Sequence, residues 1–138
     1  MDTEINKAFT EIEERKLLTT GELKSIKNDI LQKMMFDKNE LKLYHKLLTN
    51  YRYIDEIDEL RYGSYIRWFN LNKPKSLKLL NGGFIIDIKN NNGNIIILCK
   101  NALNRLFNLN MDKSIIFQKN TKQEALLIKI LDHVQTIE

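Results

Sequence analysis

The chain has 138 residues, 43% of them hydrophobic and 29% charged, with a formal net charge of +4 and one cysteine. That length predicts a single domain able to bury its own core, and the composition excludes global disorder. One cysteine excludes an internal disulfide, the start Met1-Asp2-Thr3-Glu4 is unlike a signal peptide, and no apolar run nears the ~18 residues of a membrane span. The expectation is a soluble, intracellular protein that is not secreted and has no membrane partner.

The N-terminal third predicts helices. Ile5, Ala8, Phe9 and Ile12 recur at spacings of three and four, with glutamates off that stripe. Thr19-Thr20-Gly21-Glu22 is a capping box, in which the Thr19 hydroxyl and the Glu22 carboxylate satisfy each other's backbone N–H groups. After it, Leu23, Ile26, Ile30 and Met34 form one stripe, and Leu41, Tyr44, Leu48 and Tyr51 continue the period beyond Asp37-Lys38-Asn39. One helix or two over 22–50 both satisfy this pattern. Residues 54–60 add a short helical turn among four acids.

From Ser64 the period changes to two. Strands are expected at 65–69, 84–89, 95–100 and 114–119, with a short one at 77–80. Asn72-Lys73-Pro74-Lys75 is a loop, and Asn81-Gly82-Gly83 a turn or bulge requiring positive φ. Asn92-Gly93 signals a type I′ hairpin that sets Ile88 opposite Ile97, Ile86 opposite Cys99, Asp87 opposite Leu98 and Ile85 opposite Lys100. Residues 101–111 read as either a short helix or an irregular connection. A second capping box, Thr121-Lys122-Gln123-Glu124, opens a terminal helix through Leu127, Ile130, Leu131 and Val134. The fold class is α+β: N-terminal helices, a small antiparallel β-sheet and a C-terminal helix in one domain over 1–138. Its parts are helical (1–60), basic and β-rich (61–120) and helical again (121–138).

Charge follows that division. Residues 61–120 carry ten Lys/Arg against two Asp/Glu, residues 1–60 ten against thirteen, and residues 121–138 two against three. A basic β-rich middle attracts phosphate, and Arg67, Lys73, Lys75, Lys78, Lys100, Arg105, Lys113 and Lys119 are the candidate nucleic-acid contacts. The same lysines serve equally to keep sheet edges soluble. On a strand, Tyr65, Arg67 and Phe69 share one face and Ile66 and Trp68 the other. If exposed, Tyr65, Trp68 or Phe69 stack on bases; if buried, they are core. The stretch Arg61 to Trp68 lacks the second-position glycine of an RNA-recognition motif, and the order of elements is wrong for that fold.

No catalytic constellation emerges. His45, His133 and Cys99 are too dispersed for a zinc site, so no metal and no cofactor is expected. Cys99 falls on the apolar side of the hairpin, where a thiol behaves as a small hydrophobe. The run Asp55-Glu56-Ile57-Asp58-Glu59 lacks the glycine and ligand spacing of a calcium loop and reads as a solvated face, with pairing to the basic middle as an option.

Tyr65-Ile66-Arg67-Trp68-Phe69-Asn70-Leu71, Leu80-Asn81-Gly82-Gly83-Phe84-Ile85-Ile86 and Ile116-Phe117-Gln118-Lys119 with Glu124 resemble a group of small uncharacterised proteins of large DNA viruses, over residues 61–131. The resemblance implies a viral source and a virion or viral-DNA setting, and carries no functional residues. The expected function is a small non-enzymatic interaction or structural module with a protein partner. The alternative is sequence-nonspecific binding of DNA or RNA through the basic middle.

Overall fold

Helices and strands occupy separate stretches of the chain in the structure, a computed structural model that describes residues 2–137. The fold is α+β, with four helices and a six-stranded antiparallel sheet. It divides into two compact units: Leu48–Lys119 holds the whole sheet, and the residues through Leu47 together with those from Asn120 hold the helices.

The helical unit consists of α1 (Asp2–Glu14), α2 (Thr20–Lys33), α3 (Lys38–Leu47) and α4 (Lys122–Ile137). Both capping boxes form. Glu22 N–H donates to Thr19 Oγ1 and Thr19 N–H to Glu22 Oε1, each at 3.2 Å; the Thr121–Glu124 pair repeats this at 3.1 and 2.9 Å. Residues 22–50 form two helices. Met35 turns left-handed at φ 61°, and Asp37 then caps α3 by accepting from Glu40 N–H at 2.8 Å. The buried stripe of α2 is Leu23, Lys27 and Leu31, so the expected Ile26 faces outward. Ile12, Leu17, Leu23, Leu127 and Ile128 make this unit's core. Thr20 N–H and hydroxyl both donate to the Asp132 carboxylate, tying the start of α2 to α4.

In the sheet unit the strands are β1 (Tyr51–Ile54), β2 (Tyr65–Asn70), β3 (Gly83–Asn91), β4 (Asn94–Lys100), β5 (Leu106–Asn110) and β6 (Ser114–Lys119), in spatial order β1-β6-β2-β3-β4-β5. Four of these match expectation. Tyr51, expected to extend a helix, instead begins β1: Tyr51-Arg52-Tyr53-Ile54 alternates in burial and pairs with β6. Residues 106–110, open to both a helix and an irregular chain on sequence grounds, are strand β5. The acidic run forms one 3-10 turn at Ile57–Glu59, and of the 77–80 segment only Leu79 makes a bridge, to Phe69.

One face of the sheet is a core shared by both edge strands, with Ile54 of β1 and Leu109 of β5 in the same cluster as Ile66, Trp68, Ile85, Ile97, Cys99 and Ile116. Rings carried three strands apart can stack only if the sheet curls around this face. The Trp68 and Phe107 rings stack across it with centroids 5.2 Å apart, although β3 and β4 lie between their strands. The concave side is therefore packed. On the convex side Phe69 and Phe117 are also fully buried, and the exposed part lies around Phe84.

The hairpin turns at Asn92 (φ 53°) and Gly93 (φ 91°), as type I′ requires. Ile88–Ile97 and Asp87–Leu98 pair as expected. Beyond them a bulge at Ile86 shifts the register, so Ile85 pairs with Cys99 and Phe84 with Lys100. Gly82 and Gly83 do not adopt positive φ. Their need is for space: a Cβ on Gly83 would sit 2.8 Å from the Phe107 ring, and one on Gly82 would overlap the Tyr65 ring.

Candidate functional site

The register places one residue from every strand in a single row across the convex face. Tyr51 of β1 is opposite Lys119 of β6, and Tyr65 of β2 follows one step beyond the Ile66–Gln118 pair. Tyr65 is opposite Phe84 of β3, Phe84 opposite Lys100 of β4, and Lys100 opposite Leu106 of β5. Directly opposed residues share a face, so the row reads Tyr, Lys, Tyr, Phe, Lys, Leu along the hydrogen-bonding direction. Aromatic rings and ammonium groups are thus set beside one another at strand spacing, about 4.8 Å.

Each member is held by local structure. Phe84 is 49% exposed, and its ring meets that of Tyr65 edge-on at 4.9 Å. Tyr65 rests in the gap left by the absent side chain of Gly82. Arg67, two residues along β2 on the same face, is fixed by its Nε–H, which donates to the Leu80 carbonyl at 3.1 Å. Tyr51 is half-buried; that burial pushes its phenol pKa up, Tyr65 pushes it further and Arg67 pulls it down, which places Tyr51 in the same neighbourhood. Lys119 is exposed at the end of β6. Arg105 is exposed in the turn joining β4 to β5, where Asn101 Oδ1 accepts from the N–H groups of Leu103 and Arg105.

The expected basic set divides between the two ends of β2. Lys100, Arg105 and Lys119 lie at the Tyr65 end. Lys73, Lys75 and Lys78 are exposed in the 71–78 loop at the Asn70 end, with Lys113, whose carbonyl accepts from Leu71 N–H at 2.9 Å. Five residues of strand, about 17 Å, separate the groups. Among the expected stacking residues, Trp68 is 7% and Phe69 0% exposed, so neither offers a ring face; their rings pack on Phe107 and Phe117. That leaves Tyr65. Phe84 and Tyr51 join it here although sequence reasoning did not single them out.

The acidic run is anchored from within. Arg52 Nη2 donates to Glu59 Oε2 at 2.6 Å, Gln118 Nε2 donates to the Glu59 carbonyl at 3.0 Å, and Gln118 Oε1 accepts from Arg61 N–H at 3.0 Å. Glu59 is thus held by Arg52 of β1, outside the lysine set. The sheet unit as a whole carries eleven Lys/Arg against six Asp/Glu. Two of those acids, Asp55 and Asp112, line a cleft of about 270 Å³ with Tyr53, Leu71, Ile95 and Met111, at the end of the sheet away from the aromatic row.

Cys99 is buried and its thiol is pushed up to about 12 by that burial, which leaves it a packing residue. His45 Nε2 lies 3.1 Å from Asn28 Oδ1, and burial together with Lys27 and Lys24 lowers its pKa. Among the described residues no group of three His, Cys, Asp or Glu side chains could hold a metal ion, and no helix is long and apolar enough to cross a membrane. No protein-family model, curated protein or solved structure matches this chain.

Proposed function

We propose that this chain is a non-enzymatic interaction module whose ligand is nucleic acid, bound without sequence preference by the convex face of the sheet. The observation that carries the reading is the cross-strand row in which Lys119 and Lys100 flank Tyr65 and Phe84. Cations at strand spacing favour a phosphate backbone, and a strand face offers contact area more than an enclosed reaction space. Of the acids in the run 55–59, Glu59 is engaged by Arg52 and not by the lysines of the row. The viral-DNA setting implied by the resemblance over 61–131 belongs to the same proposal.

Titration of a labelled oligonucleotide at increasing salt tests it. With about three to five phosphates neutralised, log affinity falls against log salt with a slope of roughly −2 to −5. Lys100→Glu with Lys119→Glu weakens all sequences alike and flattens that slope by about one for each phosphate left without its cation. Absence of binding at about 50 mM salt to both single and double strands refutes the reading. The exposed Ile86, Leu103 and Leu106 favour a second reading, a protein partner seated on the β3–β5 side.

A further inference from the structure

Resting on the nucleic-acid reading, we infer that the convex row is a site for single strands, in which an unpaired base stacks on Phe84 beside Tyr65 while Lys100 and Lys119 hold the flanking phosphates.

Charge alone does not explain the row. A phenylalanine ring makes no hydrogen bond to phosphate, and half of Phe84 is exposed at mid-sheet, where a polar side chain would be the ordinary occupant. Its exposure is built into the backbone. The bulge at Ile86 turns Phe84 to the convex face opposite Lys100, and Gly82 leaves the space in which Tyr65 lies against it. The two rings, at 67° and 4.9 Å, form a step with one ring supporting the other. A base in a duplex already has both faces covered by its neighbours, so such a step gains little from double-stranded DNA beyond its phosphates. An unpaired base has a free π-face, and stacking on an aromatic ring tolerates any base.

The cations are placed for the same ligand. Lys100 adjoins Phe84 on one side and Lys119 adjoins Tyr65 on the other, three strand spacings apart, or about 14 Å. Arg67 is held beside Tyr65 by its bond to Leu80. A chain crossing the strands would meet phosphate-binding groups at both ends of the aromatic step. DNA and RNA share this chemistry.

The test compares four fluorescein-labelled ligands of equal length with the full chain at about 50 mM salt: a twelve-nucleotide single strand as DNA and as RNA, its DNA duplex, and an abasic twelve-mer of the same charge. The expected result is that base-bearing single strands bind roughly tenfold to a hundredfold more tightly than the abasic strand, and that Phe84→Ala removes this difference without changing abasic binding. Phe84→Trp retains it and Phe84→Leu loses it, each variant first shown to keep its thermal melting profile; the leucine controls for altered packing. The DNA and the RNA single strand should both exceed the abasic strand in affinity, since base and phosphate are common to them. Equal binding of the abasic and base-bearing strands, or a Phe84→Leu variant indistinguishable from the parent, overturns the inference while leaving the electrostatic reading intact. No binding to any of the four overturns both.

Discussion

The ring of Tyr65 lies against Gly82 so closely that a β-carbon there would overlap it. A glycine with ordinary φ is thus required by a neighbour's side chain. Gly82→Ala should displace the Tyr65 ring at a cost of about 1–3 kcal/mol, an overpacking penalty read by urea unfolding. It should also reduce affinity for a single strand while sparing that for an abasic one. Unchanged stability and unchanged affinity together would show that the ring moves aside freely.

Trp68 is the sole tryptophan, and it packs on Phe107 in the concave core. Its emission should be blue-shifted in the native protein and resistant to acrylamide. Saturating oligonucleotide should leave it nearly unchanged, because binding occurs on the other side of the sheet. Strong quenching by the oligonucleotide would place the ligand on the concave face instead.

The Arg52–Glu59 bond joins two side chains that are 7% and 12% exposed. Removing one partner strands the other charge in a poorly solvated site, so Arg52→Ala should cost about 3 kcal/mol in chemical denaturation. The double variant Arg52→Met, Glu59→Leu should recover much of that loss, since an apolar pair of similar volume has no desolvation penalty. A single-variant loss below about 1 kcal/mol would mean the pair behaves as a surface pair.

Burial holds the Cys99 thiol at about 12, above its ordinary value near 9. The folded state therefore keeps a proton that the unfolded state releases. Stability should be unaffected by this group below pH 9 and should decline as pH rises from about 9 toward 12. Denaturant midpoints measured for the parent and for Cys99→Ala isolate the effect, since only the parent should show this component of the decline. At pH 8 the native thiol should resist a maleimide and react on unfolding.

Strands β2, β3, β4 and β6 are legible in the sequence because each is rich in β-branched or aromatic residues. Strand β1 is hidden because Tyr51 also falls at a helical spacing from Tyr44 and Leu48, and its partner β6 lies at the far end of the β-rich segment. In β5, Asn108 separates Leu106-Phe107 from Leu109 and Asn110 ends the strand, and asparagine is depleted in strands. The alternation of Tyr65, Arg67 and Phe69 is correct, but periodicity does not say which part of a face is covered: Phe69 is buried and Tyr65 half-exposed on the same side. Phe84 escapes notice because an unbroken hairpin register sets Ile85 opposite Lys100. The one available signal is Phe84-Ile85-Ile86, three apolar residues in succession where alternation allows every second. An extra residue in the strand reconciles them.

Strands β1 and β6 are neighbours, with Tyr51 opposite Lys119, and they are also the first and last strands of the segment that interrupts the helical unit. Their pairing brings the chain back to where it departed. For the helices, a connection of about seventy residues then behaves as a short link, and the closure entropy of such a loop, on the order of 4 kcal/mol, is already spent when the sheet forms. The order of assembly follows: backbone amides of β1 and β6 should gain protection from hydrogen exchange during refolding no later than those of α4, whose partners α1 and α2 precede the interruption in the chain.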